Sequence, residues 1–117
     1  MITIYHNPRC SKSRAACTWI SESHADEPTE IVEYLKRPLT VSQLKALREL
    51  LDVPLREMVR TGETEYADLG LGAAGVTDEA IYEAIARHPS LLQRPIVVRD
   101  GRAVIGRPTE NIAALFE

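Results

Sequence analysis

The tightest restriction on the fold lies near the end of the chain. Two apolar runs, PIVV and RAVI, flank Arg99-Asp100-Gly101, and Asp-Gly between such runs is the strongest short-range sign of a β-hairpin. Those runs are expected as antiparallel strands. The chain opens with a different pattern. Met1 to Tyr5 is short, apolar and partly β-branched, as suits a central strand buried on both faces. From Ser11 to about Ser23 there is no Gly or Pro, and Ala16, Cys17, Trp19 and Ile20 recur at helical spacings. After the polar SHADEPT stretch, Glu30 to Leu35 (EIVEYL) reads as a second strand, ended by Arg37-Pro38. Strand, helix and strand in this order favour a right-handed parallel crossover.

Helices are expected between these two halves. Thr40 and Gln43 form a capping-box pattern, after which Val41, Leu44, Leu47 and Leu51 share a face. Pro54 suits the first position of a short helix, PLREMVR, ending near Gly62. A further turn, EYADLGL, leads to a Gly/Ala-rich loop. Thr77 then caps DEAIYEAIAR, with Ile81, Ala84, Ile85 and His88 on one face and Pro89 at its end. Pro108 and Thr109 begin a last helix whose Ile112, Leu115 and Phe116 cover the sheet. The sum is an α/β, thioredoxin-like fold: a four-stranded mixed sheet flanked by helices, with a helical insertion between its βαβ and ββα halves, in one domain over residues 1–117. A nucleotide-binding α/β fold is the competitor. The first strand-to-helix turn holds no glycine, however, so the Gly-rich route to a pyrophosphate is missing.

Composition narrows the function classes. With 117 residues, 44% hydrophobic and 26% charged, the chain has the make-up of an ordinary globular domain. No apolar run approaches the roughly 20 residues that cross a bilayer, and no basic segment precedes an apolar one as in a leader peptide. A cytoplasmic location without membrane partners is expected. Two cysteines then point away from a disulfide framework, and with three scattered histidines they offer no metal-ligand spacing. The net charge of −3 speaks against nucleic acid as a partner. Arg outnumbers Lys by eleven to three. The planar guanidinium suits tetrahedral oxyanions, although a biased composition produces the same skew. Nothing suggests more than a monomer.

The chemistry centres on Cys10. It follows Asn7-Pro8-Arg9 at the start of the first helix, where unsatisfied N–H groups and a partial positive charge favour a thiolate. Arg9, Lys12 and Arg14 stand close in sequence, making Cys10 a candidate nucleophile. Ser13 occupies the position where a dithiol motif carries its second cysteine. It reads either as a helix-cap serine or as a hydroxyl donor that lowers the Cys10 pKa, and in both cases the loop is monothiol. Cys17 lies seven residues on, roughly 10 Å along a helix, too far for a disulfide with Cα atoms nearer than about 7 Å. It reads as a buried packing residue. His6 either pairs with the thiolate as an imidazolium or orients the loop. His24 reads as exposed linker and His88 as a helix C-terminal group. Arg60 ends a short helix just before Thr61-Gly62, Arg94 immediately precedes Pro95 and a buried-type strand, and Arg107 sits between Gly106 and Pro108. Singly each reads as a surface group, and together with Cys10 they can form a cationic pocket. The Arg94-Pro95 bond, opening a strand, is a candidate cis peptide.

HNPRCSKSR after the first strand, RPIVV opening the third and IGRPTE opening the last helix, at this spacing, resemble the glutaredoxin-dependent arsenate reductases of the ArsC type. The resemblance runs from Ile2 to the C-terminus. The RCSKS run stands where the best-known members carry a smaller, glycine-containing one. The resemblance implies that Cys10 attacks arsenate and that Arg60, Arg94 and Arg107 hold the oxyanion, while His6 and Ser13 match the family's histidine and serine. It further implies glutathione as cosubstrate, glutaredoxin as protein partner and no tightly bound cofactor. Two other functions fit the same fold: a general glutathione-linked thiol oxidoreductase, and a non-enzymatic redox-regulatory binding module. Ser13 breaks the two-cysteine switch such regulators carry.

Overall fold

A computed structural model describes the whole chain, residues 1–117, which divides into two compact units. One joins residues 1–37 to 94–117, and the other is residues 38–93.

The first unit is built on the sheet. Strand β1 (Ile2–His6) runs parallel to β2 (Thr29–Glu33) and antiparallel to β3 (Ile96–Arg99), which pairs antiparallel with β4 (Arg102–Ile105). The order is β2-β1-β3-β4, the expected four-stranded mixed sheet. Helix α1 (Ser11–Ser23) forms the crossover. Ala16 and Ile20 on α1 pack with Ile2, Ile4, Val97, Ile112 and Leu115 in one buried cluster. Each large aliphatic side chain there contributes about 1.5 to 3 kcal/mol through burial. Both early strands differ slightly from expectation. β1 extends to His6 and buries only one face, Ile2 and Ile4, while Thr3 and Tyr5 stay half-exposed. β2 stops at Glu33, and Tyr34 turns into the interior. β2 is an edge strand, and its Ile31 is 50% exposed.

The closing segment, Thr109–Phe116, is a 3₁₀ helix, a form that seldom exceeds four residues because its hydrogen bonds are poorer. Its final carbonyls find other donors. Arg99 Nη1 donates to Leu115 O at 2.8 Å and Arg102 Nη2 to Ala114 O at 3.0 Å. Arg99 Nε also donates to both carboxylate oxygens of Glu27, at 3.0 and 2.9 Å, and its guanidinium lies over the Phe116 ring.

The second unit is helical, as expected of the insertion. Helix α2 (Val41–Leu51) carries the full capping box of Thr40 and Gln43 and buries Leu44, Leu47 and Leu51. Leu55–Met58 is a 3₁₀ turn with Pro54 as its cap rather than its first residue. Helix α3 (Thr64–Asp68) is short, and α4 (Asp78–Arg87) is capped by Thr77 and buries Ile81, Tyr82, Ala84 and Ile85. Another 3₁₀ turn, Pro89–Leu91, follows. Arg60 N–H then donates to Leu91 O at 2.8 Å, and Gln93 N–H to Met58 O at 2.7 Å.

The hairpin turn has the dihedral angles its sequence announced. Asp100 has φ 50° and Gly101 φ 75°, positive at both central positions as a type I′ turn requires. No atom lies within 4 Å of where a Gly101 side chain would begin, so an added methyl group meets only the left-handed backbone penalty. Gly101→Ala should cost about 1 kcal/mol, seen as a lower urea midpoint with unchanged m-value. An unaltered midpoint would refute the turn assignment.

Candidate functional site

Strand register assembles the site in the first unit. Tyr5 pairs with Ile96, and Ile96 with Ile105. Three segments therefore leave the sheet at the same end: the loop from Asn7 to Cys10 after β1, Arg94-Pro95 before β3, and Gly106-Arg107 after β4. Arg107 Nη1 points at Cys10 Sγ at 3.6 Å and donates to Arg94 O at 3.2 Å. The peptide bonds before Pro95 and Pro108 are both cis. Gly106 sits where space is tight, since a side chain there would begin 3.0 Å from Pro95 Cγ and 3.2 Å from Ile112 Cδ1.

The cysteine loop is held by its own polar groups. Asn7 is buried, and its Oδ1 accepts from Arg9 N–H at 3.0 Å, while Cys10 N–H donates to Asn7 O at 3.0 Å. Such an Asx turn is what Asn before Pro favours. Cys10 thereby becomes the N-cap of α1 with extended backbone, φ −92° and ψ 123°. An N-cap side chain faces the second and third N–H groups of the helix. No conventional side-chain capping bond forms; those N–H groups act on the sulfur as an anion. Partial burial pushes the Cys10 thiol up, but Ser13 N–H, the Arg94 guanidinium and Lys12 N–H together outweigh it. The net pKa lies below the ordinary cysteine value, favouring the thiolate.

Three sequence expectations need correction. Ser13 stabilises the sulfur through its backbone N–H, not through its hydroxyl. The hydroxyl is fully buried, accepts from Asn7 N–H at 2.9 Å and lies 2.6 Å from His6 Nδ1. Asn7 N–H can only donate, so His6 Nδ1 is the acceptor open to the hydroxyl proton. His6 is correspondingly not an imidazolium paired with the thiolate. Burial pushes its pKa down, Arg14 adds to this and Glu33 opposes it, so the ring is neutral at neutral pH and orients the loop. Cys17 is half-buried rather than buried, with Sγ 3.6 Å from His6 Nδ1.

Cys10, Arg94 and Arg107 are thus brought together, as are His6, Ser13 and Cys17. Arg60 belongs to the second unit, where its Nε donates to Glu63 Oε1 and its Nη1 to Gln93 Oε1, each at 3.1 Å. His24 is stacked on Phe116, ring centroids 3.6 Å apart, rather than standing as free linker. No group of three or more His, Cys, Asp or Glu is placed to hold a metal ion, and no helix is long and apolar enough to cross a membrane. Sequence reasoning missed Asn7 and the Lys12 N–H. The first was signalled by Asn-Pro, and the second followed from the cap position itself.

A mixed sheet in this strand order, with a cysteine capping its first helix, places the chain in the thioredoxin-like class. Within that class, the model of the ArsC family matches residues 5–115, and the chain belongs to this family. The arsenate reductase of Neisseria meningitidis serogroup A is 44% identical over 116 residues, covering 98% of this chain and 97% of that one. The uncharacterised protein YfgD of Escherichia coli is 41% identical over 112 residues, covering 95% and 92%. Among solved structures, the arsenate reductase of Vibrio cholerae, 37% identical, superposes with a TM-score of 0.93 over 97% of this chain and 96% of that one.

Because Arg94 favours the thiolate, its removal must raise the Cys10 pKa. Arg94→Met should move the pH midpoint of Cys10 alkylation by iodoacetamide upward, with Cys17→Ser as background to isolate one thiol. A midpoint that stays in place would remove Arg94 from the thiolate's surroundings.

Proposed function

We propose that the chain is an arsenate reductase that uses glutathione as cosubstrate and glutaredoxin as reductant, with Cys10 as nucleophile. The observation that carries this reading is the pairing of a pKa-lowered thiol with Arg107 Nη1 at 3.6 Å from its sulfur and the Arg94 guanidinium beside it. Arginines around a thiolate serve two ends: they favour the anion, and they offer forked donors to a tetrahedral oxyanion brought against it. The likeness to arsenate reductases over nearly the whole chain supports arsenate as that oxyanion.

The Cys10 thiolate attacks arsenic(V), forming an S–As bond while one As–O bond breaks and its oxygen leaves as water. Arg94, Arg107 and, as the third proposed oxyanion ligand, Arg60 stabilise the charge gathered on the arsenate oxygens. A glutathione thiolate then attacks the Cys10 sulfur of the adduct. The S–As electron pair stays on arsenic, which departs as arsenite, and Cys10 is left in a mixed disulfide with glutathione. Glutaredoxin takes the glutathione by thiol exchange and returns Cys10 to the thiolate. An external thiol is needed because Ser13 cannot resolve a disulfide, and Cys17 sits two turns further along α1, its pKa raised by burial. His6 and Ser13 hold the loop in which Cys10 works.

The test is arsenate-dependent NADPH oxidation in an assay coupled through glutathione, glutaredoxin and glutathione reductase. Cys10→Ser should abolish turnover. Arg94→Ala, Arg107→Ala or Arg60→Ala should each lose about 2 to 4 kcal/mol of transition-state stabilisation, and Lys at the same positions should recover only part of it. Cleavage of glutathione mixed disulfides without arsenate turnover, unaffected by the arginine changes, would instead favour the general thiol oxidoreductase.

A further inference from the structure

Cys17 is the one thiol left without a part in this chemistry, and its surroundings give it one. His6 Nδ1 receives the Ser13 hydroxyl at 2.6 Å, and Cys17 Sγ stands 3.6 Å from the same nitrogen, within reach of a sulfur hydrogen bond. The fully buried Ser13 Oγ has two partners, and Asn7 N–H can only donate to it, so His6 Nδ1 is the acceptor open to its proton. Nδ1 is then an acceptor, and in the 3.6 Å contact the Cys17 S–H is the group able to donate. Burial keeps that proton on sulfur at neutral pH. We propose that Cys17 is a positioning residue: its thiol proton and the Ser13 hydroxyl proton converge on His6 Nδ1 and hold the ring in one orientation and one tautomer, with the proton on Nε2. His6 ends β1, and Ser13 and Cys17 lie one helical turn apart on α1. Two side chains of the crossover helix thus fix the residue that leads into the Asn7–Cys10 loop. The role of this arrangement in catalysis rests on the reading of His6 as part of the Cys10 site.

The charged groups facing His6 are Glu33 on β2 and Arg14 on α1, and both are kept in the variants that test the proposal. Valine keeps an apolar side chain, larger than that of cysteine by about one methylene group, but cannot donate, whereas serine donates. The full chain, reduced and labelled with ¹⁵N-histidine, is titrated by NMR as wild type, Cys17→Val and Cys17→Ser. Wild type should show His6 as the Nε2–H tautomer. Cys17→Val, losing a donor that resists protonation of Nδ1, should raise the His6 pKa by about half a unit and populate the second tautomer. Cys17→Ser should restore the wild-type signals, and where valine does not fold, Cys17→Ala gives the same comparison. A packing role alone predicts the reverse ranking, with valine like wild type and serine perturbed; that result, or superimposable titrations, would overturn the proposal. The same variants are assayed for arsenate turnover against pH, where the acid limb should shift with valine and not with serine. If wild type turns over no arsenate, the functional reading fails while the NMR comparison still decides the role of Cys17.

Discussion

The pairing of β1 with β3 is the constraint on which the site depends. Because Tyr5 faces Ile96 across an antiparallel ladder, the chain leaving β1 meets the chain entering β3, and the next ladder adds the exit of β4. Cys10, Arg94 and Arg107 are separated by up to 97 residues in sequence, yet none needs a long loop to reach the others. Side chains alternate faces along a strand, so a slip of one residue would turn Ile2 and Ile4 away from the core. Burial of those two therefore also fixes where the thiol stands relative to its arginines.

The thiol is activated by backbone N–H groups together with Arg94. A helix that begins at Ser11 leaves its first N–H groups unsatisfied, and Cys10 as N-cap receives the Ser13 and Lys12 N–H in place of a capping oxygen. The Asn7 turn, locked by Arg9 N–H, sets the angle at which the chain enters that cap. Polar side chains behind the loop are spent on one another: the Ser13 hydroxyl joins Asn7 N–H to His6. Buried polar groups in such a chain are either all satisfied or costly, which is why a small residue with both a donor and an acceptor fits at position 13.

Much of the fold was legible in the residues, since the signals were local. Asp100-Gly101 announced a turn that only positive φ at both positions can make, and Thr40 with Gln43 announced a helix start. Cys10 at a helix N-terminus could be read because Asn-Pro breaks the strand just before it. The fate of side chains was less legible. Nothing local says whether the Ser13 hydroxyl turns to Cys10 or to His6, because the answer depends on a strand and a helix packing against each other. Cys17 packs against the core as its spacing suggests, but it is half-buried, and its nearness to His6 is invisible in sequence for the same reason. The 3₁₀ form of Thr109–Phe116 is likewise invisible in sequence, since its last carbonyls are satisfied by Arg99 and Arg102 on another element.

The exposed edge strand carries a consequence for solubility. β2 presents unpaired backbone groups along one side and an outward Ile31, the combination that invites a second extended chain to add on and seed a fibril. Glu30 is exposed and Glu33 half-exposed on this five-residue strand. A copy of the same strand laid alongside would bring these carboxylates near their own kind, and the strand is too short to repay that repulsion with many new hydrogen bonds. The acidic residues of β2 thus act as guards, letting the sheet end in water without inviting its neighbours to continue it.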